Sequence, residues 1–258
     1  MIIVVDIGNT STSIGVFRRG RVGRVSAVKG GIKNLPAVRE ALIKAGVEKT
    51  KQAVIASVVP SVNAAWTRLL QREWGVKPLW VTHEVAMPIG IRYPKPETIG
   101  ADRLANAVGA FVRYGAPAIV ADFGTALTFD ILDAKANYVG GVIAPGLPLM
   151  TDYLHEKTAL LPQVRLAGRC LPVGTSTEAA IKIGAKIGHR GMVREIVEYL
   201  RTTIRKEAKL CATGGYARWA LEGIEMPFHI DPDLTLFGLG QIGVANFSHR
   251  GTEFFKRV

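Results

Sequence analysis

Apolar and small polar positions alternate through three short runs at the start of the chain, MIIVVDI, TSIGVFR and GRVSAVK. A period of two predicts β-strands. The period then changes. In LPAVREALIKAG, Leu35, Val38, Leu42 and Ala45 recur three or four apart, which is the spacing of one helix face. A strand is predicted in QAVIASVV, then a helix in SVNAAWTRLLQREW with Ser61 as its N-cap. KPLWVT predicts a short strand and DRLANAVGAFVRYG a helix. The order is βββαβαβα.

The second half begins in the same way. APAIVADFG, ALTFDIL and YVGGVIA predict three strands. Helices follow, the longest from about Glu178 to Lys206 with a break expected near Gly188 to Gly191. A buried strand in KLCATGG and a last helix near LGQIGVANF complete the chain. The halves also match in letters. Asp6-Ile7-Gly8-Asn9 aligns with Asp122-Phe123-Gly124-Thr125, and Thr12 with Thr128, 116 residues apart. We read this as duplication of one α/β unit. It divides the chain into residues 1–115 and 116–258, with the last helix free to pack back on the first domain.

Both matched turns join a strand to a strand. Walker loops and dinucleotide fingerprints open a helix, so neither fits. Gly8 and Gly124 lack a Cβ, which lets backbone N–H groups approach an anion. Asn9, Thr10, Thr125 and Thr128 add side-chain donors. Asp6 would repel a bare phosphate but suits a cation standing between carboxylate and phosphate, as Mg²⁺ commonly does. Asp122 is a second acid expected to face the same cleft. The plainer reading, that each Asp caps its own turn, explains one such acid better than a matched pair. A third acid, Asp102, opens a predicted helix after Gly100-Ala101 and precedes Arg103. A first-turn acid is ordinary there. It can also accept the proton of an alcohol during phosphoryl transfer.

Composition narrows the class. With 48% hydrophobic and 21% charged residues in 258, the chain can bury a large core. The start has no basic n-region and meets an acid at Asp6, so no signal peptide is expected, and the apolar runs are short and broken by Gly or Pro, so no membrane span is expected either. Cys170 and Cys211 make no disulfide framework or zinc cluster, and a reducing cytoplasm is the expected setting. The net charge of +12 suits an anionic partner or a solvated basic surface alike. Its densest cluster, Arg18, Arg19, Arg21 and Arg24, is predicted on a hairpin tip at Gly20. No aromatic side chains interleave there, so nucleic acid is not the expected partner.

Taken together, the motifs resemble those of the type III pantothenate kinase family, within the actin-like sugar kinase superfamily. DIGNT (Asp6 to Thr10) resembles its first phosphate motif, IGADR (Ile99 to Arg103) its substrate motif and DFGTALT (Asp122 to Thr128) its second phosphate motif. GGVIAPG, TALLP and GTST match lesser family stretches, ATGGYA its adenosine motif and DPDLTLFGL its C-terminal signature. The resemblance implies two duplicated ribonuclease H-like (actin-like ATPase) α/β domains with a cleft between them. It implies ATP-dependent phosphorylation of pantothenate at its primary hydroxyl, the first step toward coenzyme A. Asp102 would be the general base. Asp6 would organise Mg²⁺ through water, and Gly8, Asn9, Thr10, Gly124 and Thr125 would hold phosphates. Asp122 would bind K⁺ or NH₄⁺, and Gly214 and Gly215 would lie against adenosine. Tyr93, Gly100 and Arg103 would contact pantothenate, with Thr177 reaching it from the second subunit of a homodimer. Ser13 and Lys95 stand where some relatives carry lysine and asparagine. The alternatives are a kinase of the same fold for another small alcohol, and a non-catalytic regulatory or nucleic-acid-binding relative.

Overall fold

Ile2–Ile7 (β1) is apolar on both faces, so it takes the middle of a sheet. In the computed structural model, which describes residues 1–204 and 207–247, β1 pairs antiparallel with Ser11–Arg18 (β2). On its other side it pairs in parallel with Ala53–Ser57 (β4). Arg21–Lys29 (β3) and Leu79–Trp80 (β5) lie at the edges, in the order β3-β2-β1-β4-β5. Arg18 pairs with Arg21 across a two-residue turn, with φ of 49° at Arg19 and 74° at Gly20. Positive φ at both positions matches the right-handed twist of a hairpin. The expected basic tip is therefore present, and Arg18, Arg19 and Arg21 are exposed on it.

Alternation sends neighbouring side chains of β1 to opposite faces. Ile3, Val5 and Ile7 join a core with Val38 and Leu42 of Leu35–Ala45 (α1) and Trp66 and Leu70 of Pro60–Trp74 (α2). Ser61 is not the N-cap of α2. Pro60 takes the first helical turn behind Val59, its fixed φ serving where no N–H is needed. Ala101–Tyr114 (α3) packs against Leu234–Phe247 (α7), and α7 also lies against β1. A Cβ on Gly243 would come within 2.8 Å of Ile2 and 2.9 Å of Val54, and one on Gly109 within 2.6 Å of the Leu234 carbonyl. Glycine at these positions lets helix and sheet approach closely. The last helix begins earlier than its predicted position near Leu239, because Leu234, Leu236 and Phe237 are buried with it.

The other unit carries Ala118–Phe123 (β7), Ala126–Leu132 (β8), Asn137–Pro145 (β9), Lys209–Thr213 (β10) and Phe228–Ile230 (β11), ordered β11-β10-β7-β8-β9. Its helices are Leu147–Lys157 (α4), Thr177–Ile204 (α5) and Ala217–Leu221 (α6). The expected break near Gly188 to Gly191 is absent, and α5 runs through both glycines. Each such glycine costs about 1 kcal/mol against alanine. Burial of Ala185, Val193, Val197 and Leu200 along one side offsets that.

The chain crosses between the units more than once. Among the described residues, the first comprises 1–115, 135–139 and 233–247, and the second those between. Within the first, Gly90–Ile91 (β6) pairs with Asn137 and Tyr138, so the start of β9 belongs there. No helix among the described residues is long and apolar enough to cross a membrane.

Candidate active-site residues

Asp6 sits where β1 runs out, half-buried, and its Cα pairs with Ser13. The turn beyond it is closed by the Gly8 N–H donating to the Ser11 carbonyl at 3.0 Å. Asn9 and Thr10 are exposed on that turn. Asp122 ends β7 in the same way, half-buried and paired with Thr128, and the Gly124 N–H donates to the Ala126 carbonyl at 3.1 Å. The ladders correct the letter alignment. Ser13, not Thr12, is the counterpart of Thr128, because the first turn is one residue longer. Thr12 instead points into the core.

Asp102 lies in the first turn of α3, half-buried. Its Oδ1 accepts the Arg103 backbone N–H at 2.8 Å. A Cβ on Gly100 would meet the same oxygen at 2.6 Å, so glycine there leaves room for the carboxylate. Burial raises the Asp102 pKa above its ordinary 3.8, and the Arg103 N–H and charge only partly oppose this. Its carboxylate is therefore a stronger base than an exposed one.

Tyr93 is exposed, with its ring 6.1 Å from that of Tyr138 at 73°. The Arg103 guanidinium lies 5.9 Å from the centre of the same Tyr138 ring. Three of the predicted residues in this unit, Tyr93, Arg103 and Asp102, thus gather near the start of α3. Sequence reasoning missed Tyr138, which looks like any apolar strand residue in YVGGVIA.

In the second unit, Thr213 pairs with Asp122 between β10 and β7. That register carries Gly214 onto the phosphate turn. Its φ is 92°, and a Cβ there would fall 2.6 Å from Asp122 Oδ1 and from the Phe123 backbone. The Tyr216 N–H donates to the Phe123 carbonyl at 3.2 Å. Gly215 is exposed with open space beside it. Gly146 has no Cβ to strike the Gly124 and Thr125 carbonyls. Thr125 is exposed on the turn, and Thr177 is exposed at the start of α5.

The donor sets fit hard cations. Asp6 offers one carboxylate beside an exposed polar turn, which suits Mg²⁺ shared with phosphate oxygens rather than held in a protein cage. Among the described residues no group of three or more His, Cys, Asp or Glu could hold a metal by itself. Asp122 is half-buried at the end of β7 and offers a carboxylate oxygen, the ligand type hard cations take.

A family model described as type III pantothenate kinase matches residues 2–199. A type III pantothenate kinase of Akkermansia muciniphila is 46% identical over 188 residues, covering 72% of this chain and 76% of that protein. One from Methylacidiphilum infernorum is 39% identical over 244 residues, covering 93% and 87%. Solved structures agree on the fold. An activator of 2-hydroxyisocaproyl-CoA dehydratase from Clostridium difficile, with ADPNP bound, superposes with a TM-score of 0.54 at 14% identity, covering 100% of this chain and 97% of that one. A proposed N-acetylglucosamine kinase from Porphyromonas gingivalis gives 0.52 at 11%, covering 94% and 98%. The two mixed sheets are those of the actin-like ATPases and sugar kinases, with two ribonuclease H-like domains.

Proposed function

The chain belongs to the type III pantothenate kinase family and phosphorylates pantothenate with ATP on the way to coenzyme A, and we propose how its residues divide that work. Asp102 is the general base. The observation that carries this is its burial at the head of α3, which raises its pKa while Arg103 stands beside it. Asp102 accepts the proton of the primary hydroxyl as the oxygen bonds to the γ-phosphorus of ATP and the bond to the β-phosphate oxygen breaks. The transferred group keeps its charge spread over its outer oxygens, so most of the remaining work is positioning and neutralisation.

The turn at Gly8, Asn9 and Thr10 and the turn at Gly124 and Thr125 supply donors to the phosphates. Asp6 would hold Mg²⁺ and Asp122 would hold K⁺ or NH₄⁺, and these cations would offset phosphate charge. Gly214 and Gly215 give adenosine an open stretch of backbone. Tyr93, Gly100 and Arg103 receive pantothenate, with the Arg103 fork suited to an anionic or polar group.

The active unit is a homodimer in which Thr177 reaches the substrate of the other subunit. Exposed Leu149, Tyr153 and Leu154 on α4 and Ile187 on α5 supply apolar surface for it. Two free cysteines fit a reducing cytoplasm. The test is incubation with ATP, Mg²⁺ and either K⁺ or NH₄⁺, over a panel of small alcohols, with products followed by mass. Phosphopantothenate is expected. Its absence with both cations, or a clear preference for another alcohol, overturns the reading.

A further inference from the structure

Tyr138 is 1% exposed, yet it comes from a short segment, residues 135–139, that pairs with the strand leading to Tyr93. The backbone of this segment meets that strand at more than one point. The Tyr138 carbonyl accepts the Arg92 N–H at 2.9 Å, and its Cα pairs with Ile91. Two residues upstream on each strand, the Gly90 N–H donates to the Ala136 carbonyl at 3.0 Å. The backbone leading to Tyr93 is therefore pinned to the residue whose ring faces Tyr93. The same ring faces Arg103 from the start of α3.

We propose that Tyr138 is a positioning residue for the acceptor substrate: its buried ring is the common wall that sets Tyr93 and Arg103 relative to each other. The proposal rests on the reading that those two side chains touch pantothenate. Exposed Tyr93 would otherwise sample several rotamers, and an arginine has more freedom still. The 73° edge-to-face contact at 6.1 Å is within the favourable range for aromatic pairs. The guanidinium distance of 5.9 Å is at the outer limit of cation–π attraction. Orientation, more than direct attraction, is what the ring contributes. Pre-ordering both side chains lowers the cost of binding the acceptor and leaves the nucleotide untouched.

Steady-state kinetics of Tyr138→Leu, Tyr138→Phe and Tyr138→Met test this. Loss of the ring in Tyr138→Leu should raise the KM for pantothenate about 5- to 30-fold. The KM for ATP should stay within about twofold, and Tyr138→Phe, which keeps the ring, should raise the pantothenate KM less than Tyr138→Leu. Tyr138→Met fills the space without a ring and should match Tyr138→Leu, which covers the case that leucine does not fold. In an Arg103→Ala background, Tyr138→Leu should add less than it does alone, because one of its two clients is gone. An unchanged pantothenate KM, an equal rise in both KM values, or full additivity with Arg103→Ala overturns the proposal. An unmodified enzyme that makes no phosphopantothenate would overturn the kinase assignment instead.

Discussion

A Cβ on Gly214 would lie 2.6 Å from a carboxylate oxygen of Asp122. The glycine of one motif and the acid of another, far apart in sequence, are thus packed with no room for a methyl group. The backbone at Gly214 also has φ of 92°, where side chains are strained. Gly214→Ala should therefore displace Asp122 and the Phe123 backbone, at about 1–3 kcal/mol. We expect a raised KM for ATP and a weaker response to K⁺ or NH₄⁺, with the pantothenate KM less affected. Titrating each substrate and cation checks this. Unaltered ATP and cation dependence would remove Gly214 from the nucleotide site.

Asp102→Asn should lower turnover by roughly 10²–10⁴-fold, the usual contribution of a positioned base. ATP binding should change little. Because burial raises the folded pKa of Asp102, kcat/KM in the unmodified enzyme should rise with pH through a value above 3.8. The same shift carries a stability sign. Asp102 is easier to protonate folded than unfolded, so its favourable contribution is present below its unfolded pKa and lost as pH rises through the folded one. Near neutral pH the buried charge is a cost. Asp102→Asn should then melt at a higher temperature than the unmodified enzyme at pH 7, while being far less active. A lower melting temperature would mean the carboxylate is stabilised in ways its burial does not suggest.

The matched acid-glycine turns, the strands that flank them and the placing of Asp6 and Asp122 at strand ends and Asp102 at a helix start were legible because each rests on local chemistry: an apolar run, an acid, a glycine, a short polar turn. Four things were not. The one-residue difference between the turns, which pairs Ser13 rather than Thr12 with its partner acid, depends on ladder register. Tyr138 became visible only through the pairing of β6 with β9, a contact between residues far apart in the chain. The continuity of α5 through Gly188 and Gly191 depends on packing along one face, which outweighs the local cost of glycine. Helix α4 was obscured because GVIAPGLPLM reads as a broken apolar run, whereas Pro148 merely begins the helix.

His189 on α5 is buried, with its ring 5.8 Å from Phe123 and no hydrogen-bond partner on either nitrogen. Burial lowers its pKa from 6.5 to about 4. Charged residues around it on the same helix include Lys186, which pairs with Glu222 and faces the Trp219 ring, and Arg190, which donates to the Glu222 carbonyl. A depressed folded pKa contributes stability that is present above pH 6.5 and lost as pH falls toward 4. The size is about 3 kcal/mol. His189→Phe should flatten the fall in melting temperature across this window. A slope that His189→Phe leaves intact would place the acid sensitivity elsewhere.

Subunit exchange tests the dimer and the role of Thr177 together. Leu149 and Tyr153 lie one helical turn apart on α4 and are 46% and 62% exposed. Replacing both with aspartate should convert a dimer to a monomer by light scattering, with pantothenate kinetics impaired at the same time. Thr177→Ala alone should raise the pantothenate KM, and Asp102→Asn alone should be nearly inactive. A mixed dimer of the two has one site with both residues intact, since the Thr177→Ala subunit supplies Asp102 and the Asp102→Asn subunit supplies Thr177. Mixing the variants should therefore restore a component of activity with the unmodified pantothenate KM. A chain that is monomeric at assay concentration, or mixtures whose rates are simple sums of the separate variants, would assign Thr177 to its own subunit or to no site at all.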